Sequence, residues 1–245
     1  MEYLFVTVGA FIGYVISIIG GGGGSLLLVP IVSFVLGGRA VAPVLSLGEM
    51  LSRPVRLVLF WRDINWSVAK FHIPGSVVGA FLGAYIFAHI ELEWLQVIVG
   101  LFLISTIFQY GFGEKERSFP MRALFFLPLG FVVSLFSALV GATGPVENPF
   151  YLNYGLEKEA MIATKTVNSF VSGLVELGTF SFFGVLPREL WGYGIAIGIA
   201  AGIGSFVGKR MLGQMESKMF RRIVIVVMVV SGIALIFRQL FGENS

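Results

Sequence analysis

Cysteine is absent from this 245-residue chain. Disulfides, thiolate metal sites and cysteine nucleophiles are therefore excluded, although the compartment is not fixed by that absence. Charge is also scarce: 13% of residues are charged against 56% hydrophobic, and the mean hydropathy is +0.90. A soluble domain of this length needs a charged surface, so the balance places the chain in the membrane class, as one domain over 1–245 with no extramembrane catalytic module. Asp63 is the single aspartate, and His72 and His89 are the two histidines. These residues form no His-Glu-x-x-His motif, no pair of intramembrane aspartates and no Ser–His dyad, which leaves a membrane-embedded enzyme only a remote alternative. The histidines read as interfacial, and no metal site or cofactor is expected. No Walker motif is present, so ATP drive would need a separate subunit. The apolar start lacks a basic n-region, and the first helix is expected to be its own insertion signal.

What is present is a series of apolar segments, at about 3–19, 25–36, 42–61, 74–90, 94–110, 121–140, 145–154, 159–183, 189–208 and 219–241. A helical span needs about 20 apolar residues. Segments 25–36 and 145–154 are too short, and each follows a small-residue break: Gly20-Gly21-Gly22-Gly23-Gly24, then Gly141-Ala142-Thr143-Gly144-Pro145. Broken backbone is tolerated at membrane depth only where protein or a cavity surrounds it. The two short segments either cross as thin spans or re-enter as hairpins.

The net charge of +3 does not indicate nucleic acid, because the basic residues sort by loop. Arg62, Lys70, Lys115, Arg117, Arg122, Lys158, Lys209, Arg210, Lys218, Arg221 and Arg222 fall on one side; the other holds Arg39, Arg188 and Arg238 with Glu2, Glu91, Glu93, Glu189 and Glu243. The positive-inside rule puts the first set in the cytoplasm and both termini outside.

The chain also repeats itself. Gly13 to Ser17 resembles Gly130 to Ser134, Pro30 pairs with Pro149, and Ser46 and Ser52 pair with Thr166 and Ser172. Trp66, Gly79, Phe81, Gly83 and Glu91 match Trp191, Gly204, Phe206, Gly208 and Glu216 at one constant offset. The loop near Glu91 reads as outside and its counterpart, Lys209 to Arg222, as inside, so the halves are inverted. The fold expected is all-α and polytopic, with about 8–10 membrane segments. Repeat one covers about 1–110, a cytoplasmic linker about 111–120 and repeat two about 121–245. Inverted repeats with broken helices at matching places are the pattern of a secondary transporter.

Gly13 to Pro30, a glycine run before a short apolar helix and a proline, resembles the first signature of the sulfite exporter TauE/SafE family. Gly130 to Pro149 sits where that family repeats it, here with Gly141, Gly144 and Pro145 in place of the run and with Glu147 and Asn148 added. The resemblance covers the whole chain and implies transport of a small anion, such as sulfite or an organosulfonate like sulfoacetate, across the bacterial inner membrane.

Candidate site residues follow from the breaks and from charge at membrane depth. Gly21, Gly22, Gly23 and Gly24 let the backbone turn and present N–H groups, and the helix starting at Ser25 aims its positive end there. Thr143, Gly144 and Asn148 are the second-half equivalents. Ser46, Glu49, Arg53 and Arg56 share one helix face; Lys165, Asn168 or Ser169, Ser172 and Glu176 share another. A charge at the bilayer centre costs about 2.5–3.5 kcal/mol even on the lenient insertion scale, so these faces should meet each other or a wet cavity. Arg53 is the first candidate anion ligand because its planar fork suits oxyanions. Lys165 is the second, and Arg56 is expected to snorkel. Glu49 reads either as an i, i+4 partner of Arg53 or as a group that alternates with substrate. Glu147 and Glu176 are candidate proton carriers, Glu147 alternatively a helix cap.

The expected partners are a small anion and membrane lipid. The glycine rows Gly75, Gly79, Gly83 and Gly194, Gly198, Gly202 are expected at close helix contacts, within the chain or across a homodimer. An anion channel or a carrier of another small solute remains the nearest alternative.

Overall fold

The computed structural model describes residues 2–22, 24–37, 40–89, 119–140 and 144–241. Gly23, Thr143, Arg39, the acidic stretch at Glu91 and Glu93, segment 94–110 and nearly all of the linker lie outside the described residues. Every regular element among them is helical: α1 (Glu2–Ile19), α2 (Gly24–Leu36), α3 (Val41–Phe60), α4 (Trp66–His89), α5 (Phe126–Val140), α6 (Asn148–Tyr154), α7 (Lys158–Phe182), α8 (Trp191–Leu212) and α9 (Ser217–Phe241).

Among the described residues three stretches are long and apolar enough to cross a membrane, Glu2–Ile19, Trp66–His89 and Arg188–Leu212. Their outward residues are Leu4, Phe5, Phe81, Ile199, Ile203 and Phe206, large side chains left exposed by the protein itself. Such a belt is untenable in water and natural in lipid. Helices α3 and α7 are 20 and 25 residues long, and their polar and charged side chains rather than their length keep them out of that set. Their charged groups turn inward instead: Arg53 and Glu176 are 7% and 6% exposed.

Two boundaries differ from the sequence reading. Helix α4 starts at Trp66, well before 74, because the Asn65 side chain accepts a hydrogen bond from the Val68 N–H and caps it. Helix α5 starts at Phe126, after a 3₁₀ turn over Ala123–Phe125, and so takes Pro128 in its first turn, where a missing N–H costs nothing.

Glycine decides how closely the helices pack. A methyl group on Gly75, Gly79 or Gly83 of α4 would lie 2.0, 2.1 or 2.4 Å from the carbonyl oxygens of Leu127, Phe131 and Leu135 of α5. The backbones therefore touch along three turns. Gly204 and Gly208 of α8 meet Phe11 and Val15 of α1 in the same way, and Gly194 and Gly198 meet Leu47 and Leu51 of α3. The glycine rows are thus used inside the chain. The main packed pairs are α4 with α5, α1 with α8, α3 with α8, α4 with α7, α1 with α2 and α3 with α7.

Polar contacts gather the basic loops at one end of the bundle. Lys209, at the end of α8, donates to the Leu59 carbonyl at the end of α3. Asn65 N–H donates to Thr164 at 2.9 Å, and Arg221 pairs with Glu157 at 2.5 Å. At the opposite end Tyr193 donates to Glu2 at 3.2 Å, and Tyr3 stacks on Tyr193 with centroids 4.0 Å apart.

Candidate functional site

The chain reverses at Gly21 and Gly22, whose φ values of 71° and 125° suit glycine alone. Helix α2 then runs back along α1 so closely that a Cβ on Gly24 would sit 2.5 Å from the Gly13 carbonyl oxygen. The second break begins its 3₁₀ turn at Gly144 and leads into α6. The two breaks lie side by side: a Cβ on Gly22 would be 3.4 Å from the Gly144 carbonyl. Around them, α1, α3, α4, α5 and α7 enclose a cavity of about 100 Å³, room for a few waters or one small polyatomic ion.

Of the residues singled out in the sequence, Gly21, Gly22, Ser25, Glu49, Arg53, Arg56, Gly144, Glu147, Lys165, Ser169, Ser172 and Glu176 line this cavity. Gly24 instead packs on α1. Asn148 and Asn168 are buried behind the wall, Asn168 donating to the Tyr151 hydroxyl at 2.8 Å. Ser46 donates to Glu176, joining α3 to α7.

The charges divide into distinct arrangements. Arg53 Nη2 donates to Glu49 Oε2 at 2.7 Å, the expected i, i+4 pair. Its Nη1 is buried and has no hydrogen-bond partner among the described residues. Lys165 is saturated: Nζ donates to Gly21 O at 2.6 Å, Gly144 O at 2.6 Å and Asn148 Oδ1 at 2.5 Å. An ammonium has three N–H groups, so none is left over. Arg56 does not snorkel. It lies inward, donating from Nε to Ser205 at 2.9 Å and from Nη2 to Ser52 at 3.3 Å, with Cζ 4.6 Å from the centre of the Tyr14 ring. The reason is the α3–α8 contact, which brings Ser205 within reach and gives the guanidinium partners without leaving the bundle.

Glu147 sits at the N-cap of α6 but makes no capping hydrogen bond. Its Oε1 lies 3.1 Å from Nε2 of His72. His72 is 1% exposed, so the interfacial reading is corrected: α4 begins earlier than periodicity suggested, which carries His72 into the bundle. It reaches the cavity beside Gly130, where a Cβ would sit 3.2 Å from the imidazole Cγ. Nothing in the repeat flagged His72, because Ile197 stands at the corresponding place.

Ser17, Ser134 and Thr166, which the sequence does not single out as site residues, also line the cavity, beside Ser169 and Ser172 of the expected polar face of α7. Their signal was available, since Ser17 and Ser134 close the repeated pentapeptide and Thr166 and Ser172 are repeat partners of Ser46 and Ser52. The result is a small polar chamber with three carboxylates, two arginines, a lysine and a histidine in its wall. Among the described residues neither Arg56 nor Lys165 forms an ion pair, and Glu176 is likewise held by a hydroxyl, Ser46, rather than by a cation. No cluster of metal-ligating side chains occurs among the described residues.

The chamber lies inside a lipid-facing bundle, and comparison with known proteins points to membrane transport. A probable membrane transporter protein, ORF9 from Sinorhizobium sp, is 26% identical over 251 residues, covering 95% of this chain and 91% of that protein. No solved structure matches the chain. The family model for the sulfite exporter TauE/SafE family matches residues 5–235, and the chain belongs to that family of membrane transporters.

Proposed function

We propose that the chain is a secondary transporter that moves a small anion, sulfite or an organosulfonate such as sulfoacetate, across the bacterial inner membrane by alternating access. The observation that carries the reading is the buried Arg53, which lines the chamber that also holds the helix breaks, spends Nη2 on Glu49 and leaves Nη1 without a hydrogen-bond partner among the described residues. An oxyanion accepts from a guanidinium fork better than from a point charge. Ser25, at the first turn of α2, adds the positive end of a helix dipole.

Alternating access by two inverted halves is supported by the packing. If α1 to α4 correspond to α5 to α8, the α1–α8 contact exchanges with α5–α4, and α3–α8 exchanges with α7–α4. The chamber then lies where the halves meet, with a break from each. The basic loops gathered at one end are the cytoplasmic face under the positive-inside rule, with both termini outside. Glu147 and Glu176 are the carboxylates available for proton coupling. With Lys165 saturated in this structure, Arg53 is the primary anion ligand and Lys165 contributes its field.

The test is thermal stabilisation of detergent-purified protein by a panel of sulfite, sulfate, small sulfonates and carboxylates, run in parallel on Arg53→Ala. A sulfite or sulfonate that stabilises the wild type and not the variant supports the reading, and uptake into proteoliposomes under a pH gradient then tests coupling. An identical response from Arg53→Ala removes Arg53 from the site; no response to any anion sinks the proposed substrate class.

A further inference from the structure

The acceptors that saturate Lys165 are all of one kind. Its three acceptors are neutral oxygens: two backbone carbonyls, Gly21 and Gly144, and the Asn148 amide oxygen, at 2.5–2.6 Å. Both carbonyls belong to the helix breaks, where the ladder of helical hydrogen bonds is interrupted. Inside the bundle such carbonyls need another partner. Converging carbonyl oxygens are what a hard cation takes as ligands, and unwound backbone in broken-helix transporters holds sodium this way. Here the position is held by a cation on a side chain of α7.

We propose that the two breaks together form a monovalent-cation site, and that the Lys165 ammonium is its permanent, tethered occupant. The tether makes the junction between the breaks independent of the sodium or potassium concentration outside. The same geometry predicts that the site accepts a free monovalent cation once the side chain is removed. The inference stands whichever solute the protein carries, because its readout is stability and needs no substrate.

The experiment compares thermal unfolding of wild type, Lys165→Ala and Lys165→Ala/Asn148→Ala in choline chloride and in ammonium, sodium and potassium chloride at one ionic strength. Wild type is expected to be indifferent to the cation. Lys165→Ala should melt several degrees lower in choline, and ammonium or sodium should restore at least half of that loss in a saturable way. The added Asn148→Ala should weaken the restoration severalfold by removing one ligand. Lys165→Met, which refills the space with an uncharged chain of similar length, should not be restored by any cation.

Equal melting of Lys165→Ala in all four salts overturns the proposal, and so does restoration unaffected by Asn148→Ala. Failure of Lys165→Ala to fold when extracted in any of the salts overturns it too, because a site built for a monovalent cation should then be filled by ammonium. The anion panel on Arg53→Ala fails or succeeds separately, so the two readings can be lost independently.

Discussion

Gly173 of α7 stands where the Arg53 guanidinium of α3 lies: a Cβ built on Gly173 would fall 1.7 Å from Arg53 Nη1. The arginine therefore rests against the bare backbone of the neighbouring helix, and its free nitrogen is positioned by the absence of a side chain. Gly173→Ala should push the flexible tip of Arg53 aside without moving either backbone. Helix propensity favours alanine, so global stability should stay within about 1 kcal/mol of wild type. Anion-induced stabilisation should be lost nonetheless. Retained anion response in a well-folded Gly173→Ala would show that the position of Arg53 is immaterial.

Glu49 holds the other side of the same guanidinium at 2.7 Å. Glu49→Gln keeps the shape, removes one negative charge from the chamber and frees more of the Arg53 fork. Anion affinity, read by titration of the thermal shift, should rise severalfold, with some loss of stability in anion-free buffer because a buried cation loses its partner. A fall in affinity would mean that Glu49 orients Arg53 rather than competing for it.

His72 Nε2 and Glu147 Oε1 pair in the interior, and each is costly alone. His72→Ala leaves a buried carboxylate without this partner and should cost about 1–3 kcal/mol, read as a lower unfolding midpoint. His72→Gln can still donate to Glu147 and should recover most of that loss. If Gln and Ala variants melt alike, the hydrogen bond contributes little and the ring acts by packing against Phe126 and Tyr151.

The glycine contacts offer an internally controlled test. Gly79→Ala sets a methyl group against the Phe131 carbonyl, at 2.1 Å, where only backbone movement gives relief. It should destabilise by about 1–3 kcal/mol and reduce the yield of folded protein. Gly178 has nothing within 4 Å of its Cβ position, and Gly178→Ala should be neutral or stabilising by up to about 1 kcal/mol. Equal behaviour of the two variants would contradict the close α4–α5 contact.

Much of this protein was legible in one dimension because a bilayer imposes a one-dimensional rule. Spans must be apolar and about 20 residues long, so α1, α4 and α8 announced themselves, and charges at membrane depth had to face inward, which marked Glu49, Arg53, Lys165 and Glu176. The short α2 and α6, each behind a small-residue break, followed from the same length argument.

Tertiary packing decided everything that depends on which helix faces which. Charge within a segment says that a side chain must find a partner, but not whether that partner is its own helix, as for Arg53 and Glu49, or a distant break, as for Lys165. Sequence alone leaves Arg56 to snorkel, because Ser205 lies 149 residues away and only the α3–α8 contact brings it close. It leaves His72 at the interface, because its partner Glu147 is 75 residues distant and neither residue marks the other in sequence. Hydrophobic periodicity reports burial, which is a property of one helix against its solvent. Hydrogen-bond pairing depends on the relative placement of two helices, and in this bundle backbone contacts at glycine, with no side chain to signal the neighbour, set that placement.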